Sequence, residues 1–106
     1  MQTKLMYLGA PGTTPAPVIQ VPETGKAVLT SIRLSAPSNN NAKYNVYHLR
    51  HGSVAINTTE ALAYEVQLNS KHATEFLTHP LPVSPGESIW VSGEHIAIAV
   101  YGVIYP

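Results

Sequence analysis

Histidines are the residues of this 106-residue chain that could most readily do chemistry, and there are five of them. Imidazole nitrogens bind metal ions and exchange protons near neutral pH. His48 and His51 stand three positions apart, a spacing that sends side chains to opposite faces of a β-strand. His72, His79 and His95 fall in or beside predicted turns. We therefore expect hydrogen-bonded or solvent-exposed histidines and no metal site.

Acid–base catalysis has few carboxylates to draw on, because the chain contains six glutamates and no aspartate. Glu87 and Glu94 flank one predicted strand, whereas a glycosidase needs two carboxylates at a set distance in a cleft. Residues 24–26 read Thr-Gly-Lys, but Gln20 stands where a phosphate-binding loop requires its upstream glycine. We expect no catalytic activity and no cofactor.

Charge and composition narrow the classes of partner. The chain has no cysteine, so disulfides and cysteine-ligated metals are excluded. Six basic residues balance six acidic ones, and the basic residues are scattered singly, which argues against a nucleic-acid partner. A neutral surface with few charges favours association with other proteins. The N-terminus lacks the features of a signal peptide, so we expect synthesis in the cytoplasm and no membrane partner.

Aromatic residues allow two interpretations. Trp90, together with Tyr44, Tyr47, Tyr101 and Tyr105, could form a stacking platform for sugars. Aromatic side chains are equally typical of a core or a subunit contact. We favour the second interpretation and keep a carbohydrate-binding module as an alternative. A cupin-like metalloenzyme is a further alternative, which requires the histidines to converge.

Turn residues separate short β-branched segments roughly every 8–12 residues along the chain. No stretch keeps a helical apolar period beyond one or two turns. The pattern predicts an all-β protein, an antiparallel β-sandwich or jelly roll of about seven or eight short strands. Residues 1–17 are rich in proline and glycine and are expected to form an extended N-terminal arm. Residues 18–106 are expected to form the β-sandwich domain, with a loop over 51–61.

Alternation of apolar and polar residues predicts which side of two strands is buried. In the strand 27–34, the even-numbered residues are expected to face the core. In 63–68, which has the cleanest alternation of the chain, the inward residues are expected to be Tyr64, Val66 and Leu68. Pro80 and Pro82 predict an edge or irregular strand over 74–83.

The last strand, residues 96–105, has no charge, amide or hydroxyl apart from two tyrosine OH groups. We expect one face of it to fill the sandwich, through Ile96, Ile98 and Val100. The opposite face should be covered by another part of the chain or by a second subunit, and it consists of Ala97, Ala99, Tyr101, Val103 and Tyr105. Gly102, within the strand, indicates a bulge or a close backbone approach.

Several turn and strand motifs follow one another in a characteristic order. They are Val21-Pro22, Gly25-Lys26, Ser31-Ile32-Arg33-Leu34, Pro85-Gly86-Glu87 and Ile89-Trp90-Val91. Over about residues 18–105 this order resembles small β-sandwich structural proteins of tailed-phage virions. The resemblance implies structural work without catalytic residues: a capsid decoration (cement) protein that binds and stabilises the phage head, or alternatively a tail-associated protein.

The resemblance also implies a location and partners. It places the protein on the capsid surface of the virion, with the major capsid protein as partner and a homo-oligomer, with a trimer favoured, as its assembly state. Three regions are expected to make subunit or capsid contacts: Leu5, Met6, Tyr7 and Leu8 in the arm, Asn39, Asn40 and Asn41 in a polar loop, and Tyr101, Val103 and Tyr105 in the last strand.

Overall fold

A computed structural model describes residues 4–50 and 60–105, and within these ranges the chain is built of strands without an α-helix. The strands are β1 (Lys4–Gly9), β2 (Ala16–Gln20), β3 (Lys26–Ser35), β4 (Ala42–Leu49), β5 (Ala61–Leu68), β6 (Ala73–Glu75), β7 (Leu81–Val83), β8 (Ser88–Glu94) and β9 (Ala97–Tyr105). Positions 51–59 of the predicted loop 51–61 lie outside the described residues. β5 begins at Ala61, the last residue of that predicted loop.

Two antiparallel sheets pack face to face. The front sheet has the order β1-β9-β3-β6, and β7 also pairs with β3, whereas the back sheet has the order β2-β8-β4-β5. The largest fully buried side chains include Leu29, Ile32, Leu34, Ile98 and Val100 of the front sheet and Val46, Ile89 and Val91 of the back sheet. The predicted all-β antiparallel sandwich is confirmed, with nine described strands.

The segment 1–17 contributes to both sheets. β1 pairs antiparallel with β9, and Ala16 and Pro17 begin β2, which pairs with β8. Between these strands the N–H of Gly93 donates to the carbonyl of Gly12 at 3.0 Å. Over its described length, the segment that we expected to form an arm is therefore part of the sandwich.

A β-bulge in β3 changes which residues face the core. Leu29 and Ser31 are successive partners of β9 in the strand register, so Thr30 is an extra residue without a partner in β9. Leu29 is buried before the bulge and Ile32 after it, because one extra residue reverses the alternation of side chains. The predicted even-numbered core face therefore holds only from Ile32 onward, and it is wrong for Val28, which lies on the outer side.

β5 also departs from its predicted alternation. Tyr64 is 52% exposed and Val66 37% exposed, although both were expected to face the core. Glu65 adopts a positive φ of 51°, and the pairing with β4 shifts register there, so alternation is interrupted inside the strand. Among the described strands, β5 pairs only with β4 and stands at the end of the strand order of the back sheet.

Two very short strands complete the front sheet on the side away from β1. β6 and β7 have three residues each, and both pair with β3. The edge or irregular strand predicted over 74–83 is therefore two separate pieces. Phe76 and Leu77 lie between them and pack against the core.

Candidate contact surface on the front sheet

β9 divides its side chains between the core and the outer surface as the sequence predicts. Ile96, Ile98 and Val100 face inward and are no more than 4% exposed. The alternate side chains lie on the outer side and are half-buried: Ala97, Ala99, Tyr101, Val103 and Tyr105. The predicted two-sided character of this strand is confirmed.

β1 extends this outer surface on one side of β9. Leu5 lies opposite Tyr101 and Leu8 opposite Ala99 in the strand register. Leu5 is 47% exposed and Leu8 is 70% exposed, so both are large apolar side chains in contact with solvent. The structure thus brings together two regions that we predicted separately as contact sites.

Met6 and Tyr7 have a different position from their neighbours in β1. The pairing with β9 shifts register between Leu5 and Tyr7. Both Met6 and Tyr7 are half-buried and pack against the hydrophobic core. Of the four predicted contact residues in this segment, two therefore lie on the outer surface and two support the core.

Gly102 allows the three strands of this surface to approach one another. A Cβ atom at this position would lie 2.6 Å from the carbonyl oxygen of Val28 and 2.8 Å from the Sδ atom of Met6. Such distances leave no room for a side chain, so the close backbone approach predicted for Gly102 is confirmed. The register shift between β3 and β9 lies beside it, between Leu29 and Ser31.

β3 continues the outer surface on the other side of β9. Val28 lies opposite Val103, and Lys26 lies opposite Tyr105 with its Nζ atom 5.4 Å from the ring centroid. We call the resulting apolar surface the front face, defined by Leu5, Leu8, Val28, Ala97, Ala99, Tyr101, Val103 and Tyr105. It spans three adjacent strands and is bordered by charged side chains.

Glu75 anchors the border of the front face to β3. Its carboxylate accepts hydrogen bonds from the Ser31 hydroxyl, from the N–H of Ile32 at 2.9 Å and from the N–H of Leu77 at 3.2 Å. Partial burial raises the pKa of Glu75. The three hydrogen bonds and the charge of Arg33 lower it by more than burial raises it, so the net shift of the pKa is downward. Sequence reasoning missed this residue, because its role appears only once the bulge in β3 is known.

The asparagine loop lies elsewhere. Asn39, Asn40 and Asn41 are exposed in the connection from β3 to β4, at the end of the sandwich where the chain crosses between sheets. The Asn41 Oδ1 atom accepts a hydrogen bond of 2.9 Å from the N–H of Ser70, which fastens this loop to the turn between β5 and β6. The loop is therefore separate from the front face.

A shallow cleft on another part of the molecule collects titratable groups. His48 Nε2 hydrogen-bonds Glu87 Oε1 at 2.9 Å, and both side chains are 22% exposed. The buried Glu60 carboxylate accepts from the N–H of Arg50 at 3.3 Å and lies 4.0 Å from its guanidinium group. Among residues 4–50 and 60–105, no three histidine or glutamate side chains form a group suited to a metal ion.

The described histidines are hydrogen-bonded or exposed, as predicted. His48 bonds Glu87, and a hydrogen bond of 2.9 Å joins His72 Nδ1 to the carbonyl of Ser70. His79 and His95 are exposed. His51 lies outside the described residues.

The aromatic residues considered for a sugar platform lie in three different parts of the sandwich: the core, the back sheet and the front face. Tyr44 is in the core, edge-on to Phe76 with ring centroids 6.4 Å apart, and burial raises the pKa of the Tyr44 hydroxyl. Tyr47 and Trp90 lie opposite each other on the back sheet, where Tyr47 is only 4% exposed. The two tyrosines of β9 lie on the front face. The five side chains therefore do not form one stacking surface.

Comparisons with protein-family models, with curated proteins and with solved structures found no match for this chain. Nowhere in the described ranges is there a helix of the length and apolar character needed to cross a membrane. A functional proposal therefore depends on the front face and on the resemblance of the sequence motifs.

Proposed function

We propose that this protein is a non-enzymatic structural protein that acts by binding other protein surfaces, and specifically that it decorates and stabilises a phage head. The observation that carries the proposal is the front face, an apolar surface shared by β1, β9 and β3. Contiguous exposed apolar surface with a charged border is typical of protein interaction sites. The zero net charge of the chain adds no electrostatic barrier to close association.

The proposed mechanism uses binding free energy rather than chemistry. A protein that binds the assembled shell and not its dissociated subunits stabilises the shell by mass action. Apolar surface removed from water contributes roughly 25 cal/mol per Å², so large side chains such as Leu8 and Tyr101 are the expected anchors. The partner would be the major capsid protein at the virion surface. The trimeric state remains an expectation from the sequence resemblance.

Cosedimentation with undecorated phage heads, assembled from a candidate major capsid protein, tests the proposal. The purified protein should bind saturably and raise the temperature at which the heads disrupt. Tyr101→Asp should weaken binding about tenfold or more, because it places a charge in the centre of the apolar surface. Leu62→Lys introduces a charge on β5 of the back sheet, at a side chain that is 45% exposed, and is the control for a charge placed outside the front face.

The outcomes separate the alternatives. Saturable binding that Tyr101→Asp weakens and Leu62→Lys does not would support head decoration through the front face. Binding to purified tails and not to heads would favour the tail-associated alternative. Absence of binding to either particle by a correctly folded protein would contradict the proposal.

A further inference from the structure

The strands of the two sheets differ in their balance of charge. The described strands of the front sheet carry three basic residues, Lys4, Lys26 and Arg33, and one acidic residue, Glu75. The described strands of the back sheet carry one lysine, one histidine and two glutamates. The front-sheet strands are therefore net basic in a chain whose formal net charge is zero.

A depression of about 320 Å³ lies in the front face beside Arg33, and we call it the Arg33 depression. Its lining is mostly apolar and includes Leu8, Ala97, Ala99 and Tyr101. Arg33 is exposed, and it is the one charged side chain among the described residues of this lining. Such a depression suits an apolar side chain of a partner that has a carboxylate beside it, because guanidinium groups bind carboxylates in preference to other side chains.

A second depression, of about 230 Å³, lies beside Lys26 near the end of β9, and we call it the Lys26 depression. Its apolar lining includes Val28, Pro82 and Tyr105, and Lys26 is the one charged side chain among its described residues. The Lys26 Nζ atom lies 5.4 Å from the centroid of the Tyr105 ring, a distance typical of a cation–π contact. Both depressions thus combine an apolar lining with one cation and no carboxylate.

Glu75 does not serve as the carboxylate of the Arg33 depression. It stands opposite Arg33 in the strand register, but it is absent from the lining of the depression. Its oxygens accept hydrogen bonds from Ser31, Ile32 and Leu77. Within the described ranges, no carboxylate forms an ion pair with Arg33 at 4.0 Å or less. The guanidinium donors of Arg33 are therefore available to a partner.

The strand register gives the spacing of the two cations. Arg33 lies opposite Ala99 and Lys26 lies opposite Tyr105, which are six positions apart in β9. At about 3.3 Å per residue, the two cations are about 20 Å apart. Building on the proposed head decoration, we propose that the shell protein meets the front face with an acidic, apolar surface. Two of its carboxylates, about 20 Å apart, bind Arg33 and Lys26, and its apolar side chains fill the two depressions.

A second copy of this chain is a poorer occupant of the front face than an acidic partner. Its front-sheet strands offer a single carboxylate, Glu75, which is already hydrogen-bonded within its own chain. Two front faces in contact would bring together six cations, and like charges across an interface oppose association. The charge balance of the front sheet therefore favours a different protein as the partner.

Binding to undecorated phage heads at different salt concentrations tests the acidic partner. Wild-type binding should weaken between about 50 and about 500 mM sodium chloride, because salt screens exposed charge pairs. Arg33→Gln and Lys26→Gln should each weaken binding about two- to fivefold at the lower salt concentration. The double variant should lose most of the salt dependence. Lys43→Gln removes an exposed charge from β4 of the back sheet and, as the matched control, should change neither affinity nor salt dependence.

Charge reversal at position 26 gives a larger effect. Lys26→Glu should weaken head binding about tenfold or more, because a carboxylate of the partner would then face another carboxylate. We choose Lys26 rather than Arg33 for this reversal, since a glutamate at position 33 would stand opposite Glu75 and destabilise the sheet. Urea unfolding should show that Lys26→Glu is as stable as the wild-type protein to within about 1 kcal/mol.

The outcomes distinguish an acidic partner from head decoration itself. Head binding that Tyr101→Asp weakens, but that salt and Lys26→Glu leave unchanged, would overturn the acidic partner and leave head decoration supported. Tighter head binding by Lys26→Glu would reveal a basic partner surface and would also overturn it. Self-association of the chain that Tyr101→Asp abolishes would identify a second copy as the occupant, with the same consequence. Absence of wild-type binding to heads would contradict both proposals.

Discussion

The outer faces of the two sheets differ in the hydrogen bonds that their outward side chains form. On the back sheet, the Nδ2 atom of Asn45 donates to Ser92 Oγ at 3.0 Å, and the indole N–H of Trp90 donates to Ser88 Oγ at 2.8 Å. The front sheet has no comparable set of polar pairs among the outward residues of β9, which are alanine, valine and tyrosine. The outer side of β9 is therefore apolar, and side-chain hydrogen bonds of the front sheet lie beside it, where Ser31 and Ile32 of β3 donate to Glu75.

Exposure of the large apolar residues shows the same contrast. On the back sheet, Tyr47 and Leu49 point outward and are only 4% and 0% exposed. On the front sheet, Leu5 and Leu8 are 47% and 70% exposed. In the back sheet, the outward apolar residues of β4 are therefore covered, and the exposed large apolar residues lie on β5, at the end of the strand order. In the front sheet, β1 leaves Leu5 and Leu8 accessible directly beside the apolar outer side of β9, and this is why we place the contact with the phage head there.

The largest expected effect removes the packing on which the front face depends. Gly102→Ala would place a Cβ atom 2.6 Å from the Val28 carbonyl oxygen, a backbone atom that cannot move aside without shifting β3. We expect a loss of about 3 kcal/mol in the free energy of unfolding, or failure to fold. Gly12→Ala is the matched control, because its Cβ would meet nothing closer than 4.0 Å. Urea unfolding measures both, and equal stability of the two variants would show that strand approach is unimportant.

A smaller effect is expected on the outer side of the back sheet. Trp90→Phe removes the indole N–H that bonds Ser88 but keeps an aromatic ring in place. We expect a loss of about 1 kcal/mol in the free energy of unfolding and no change in head binding. If head affinity fell as much as it falls for Tyr101→Asp, the functional difference between the two faces would be disproved.

The contribution of Glu75, at the border of the front face, to the free energy of unfolding should depend on pH. Because the pKa of Glu75 is lowered in the folded protein, its carboxylate stabilises the fold above the unfolded-state pKa, and this contribution is lost as the pH falls through the lower folded-state value. Glu75→Gln should lower stability at neutral pH and reduce the further loss on acidification. Urea unfolding between neutral and acidic pH measures this, with Glu94→Gln on β8 as the charge-matched control. An acid response of Glu75→Gln as steep as that of the wild-type protein would contradict the assignment.

The smallest expected effect concerns the core between the two faces. Burial raises the pKa of Tyr44, so the folded state favours its neutral hydroxyl and loses stability at alkaline pH as the unfolded chain ionises. Tyr44→Phe keeps the edge-on contact with Phe76 and should reduce that alkaline loss. Absorbance titration of tyrosine in the folded protein should show one fewer late-ionising group in the variant. Identical titration curves would refute this.

The core-facing residues of a strand were predicted correctly where no bulge interrupts the strand. β9 was predicted correctly on both faces, because its core side chains alternate without interruption. β3 and β5 were predicted wrongly in part, because the extra residue at Thr30 and the positive φ at Glu65 reverse the alternation and no composition signal marks them.

The candidate surface was predictable only in pieces. Tyr101 and Leu8 stood out as apolar residues, but their adjacency depends on β1 pairing with β9 across most of the chain length. The role of Glu75 depends on hydrogen bonds to residues that lie 43 and 44 positions away in the sequence, and no local pattern indicates these bonds. Long-range pairing, rather than local propensity, determines which outward residues form one surface.

Accessibility of single cysteines on bound heads tests the central claim most directly, since the chain has no cysteine of its own. Leu8→Cys reports on the front face and Glu94→Cys on the exposed end of β8 in the back sheet. The account predicts that head binding slows alkylation of the Leu8→Cys variant strongly and leaves that of the Glu94→Cys variant unchanged. Protection of the Glu94→Cys variant with free alkylation of the Leu8→Cys variant would contradict it.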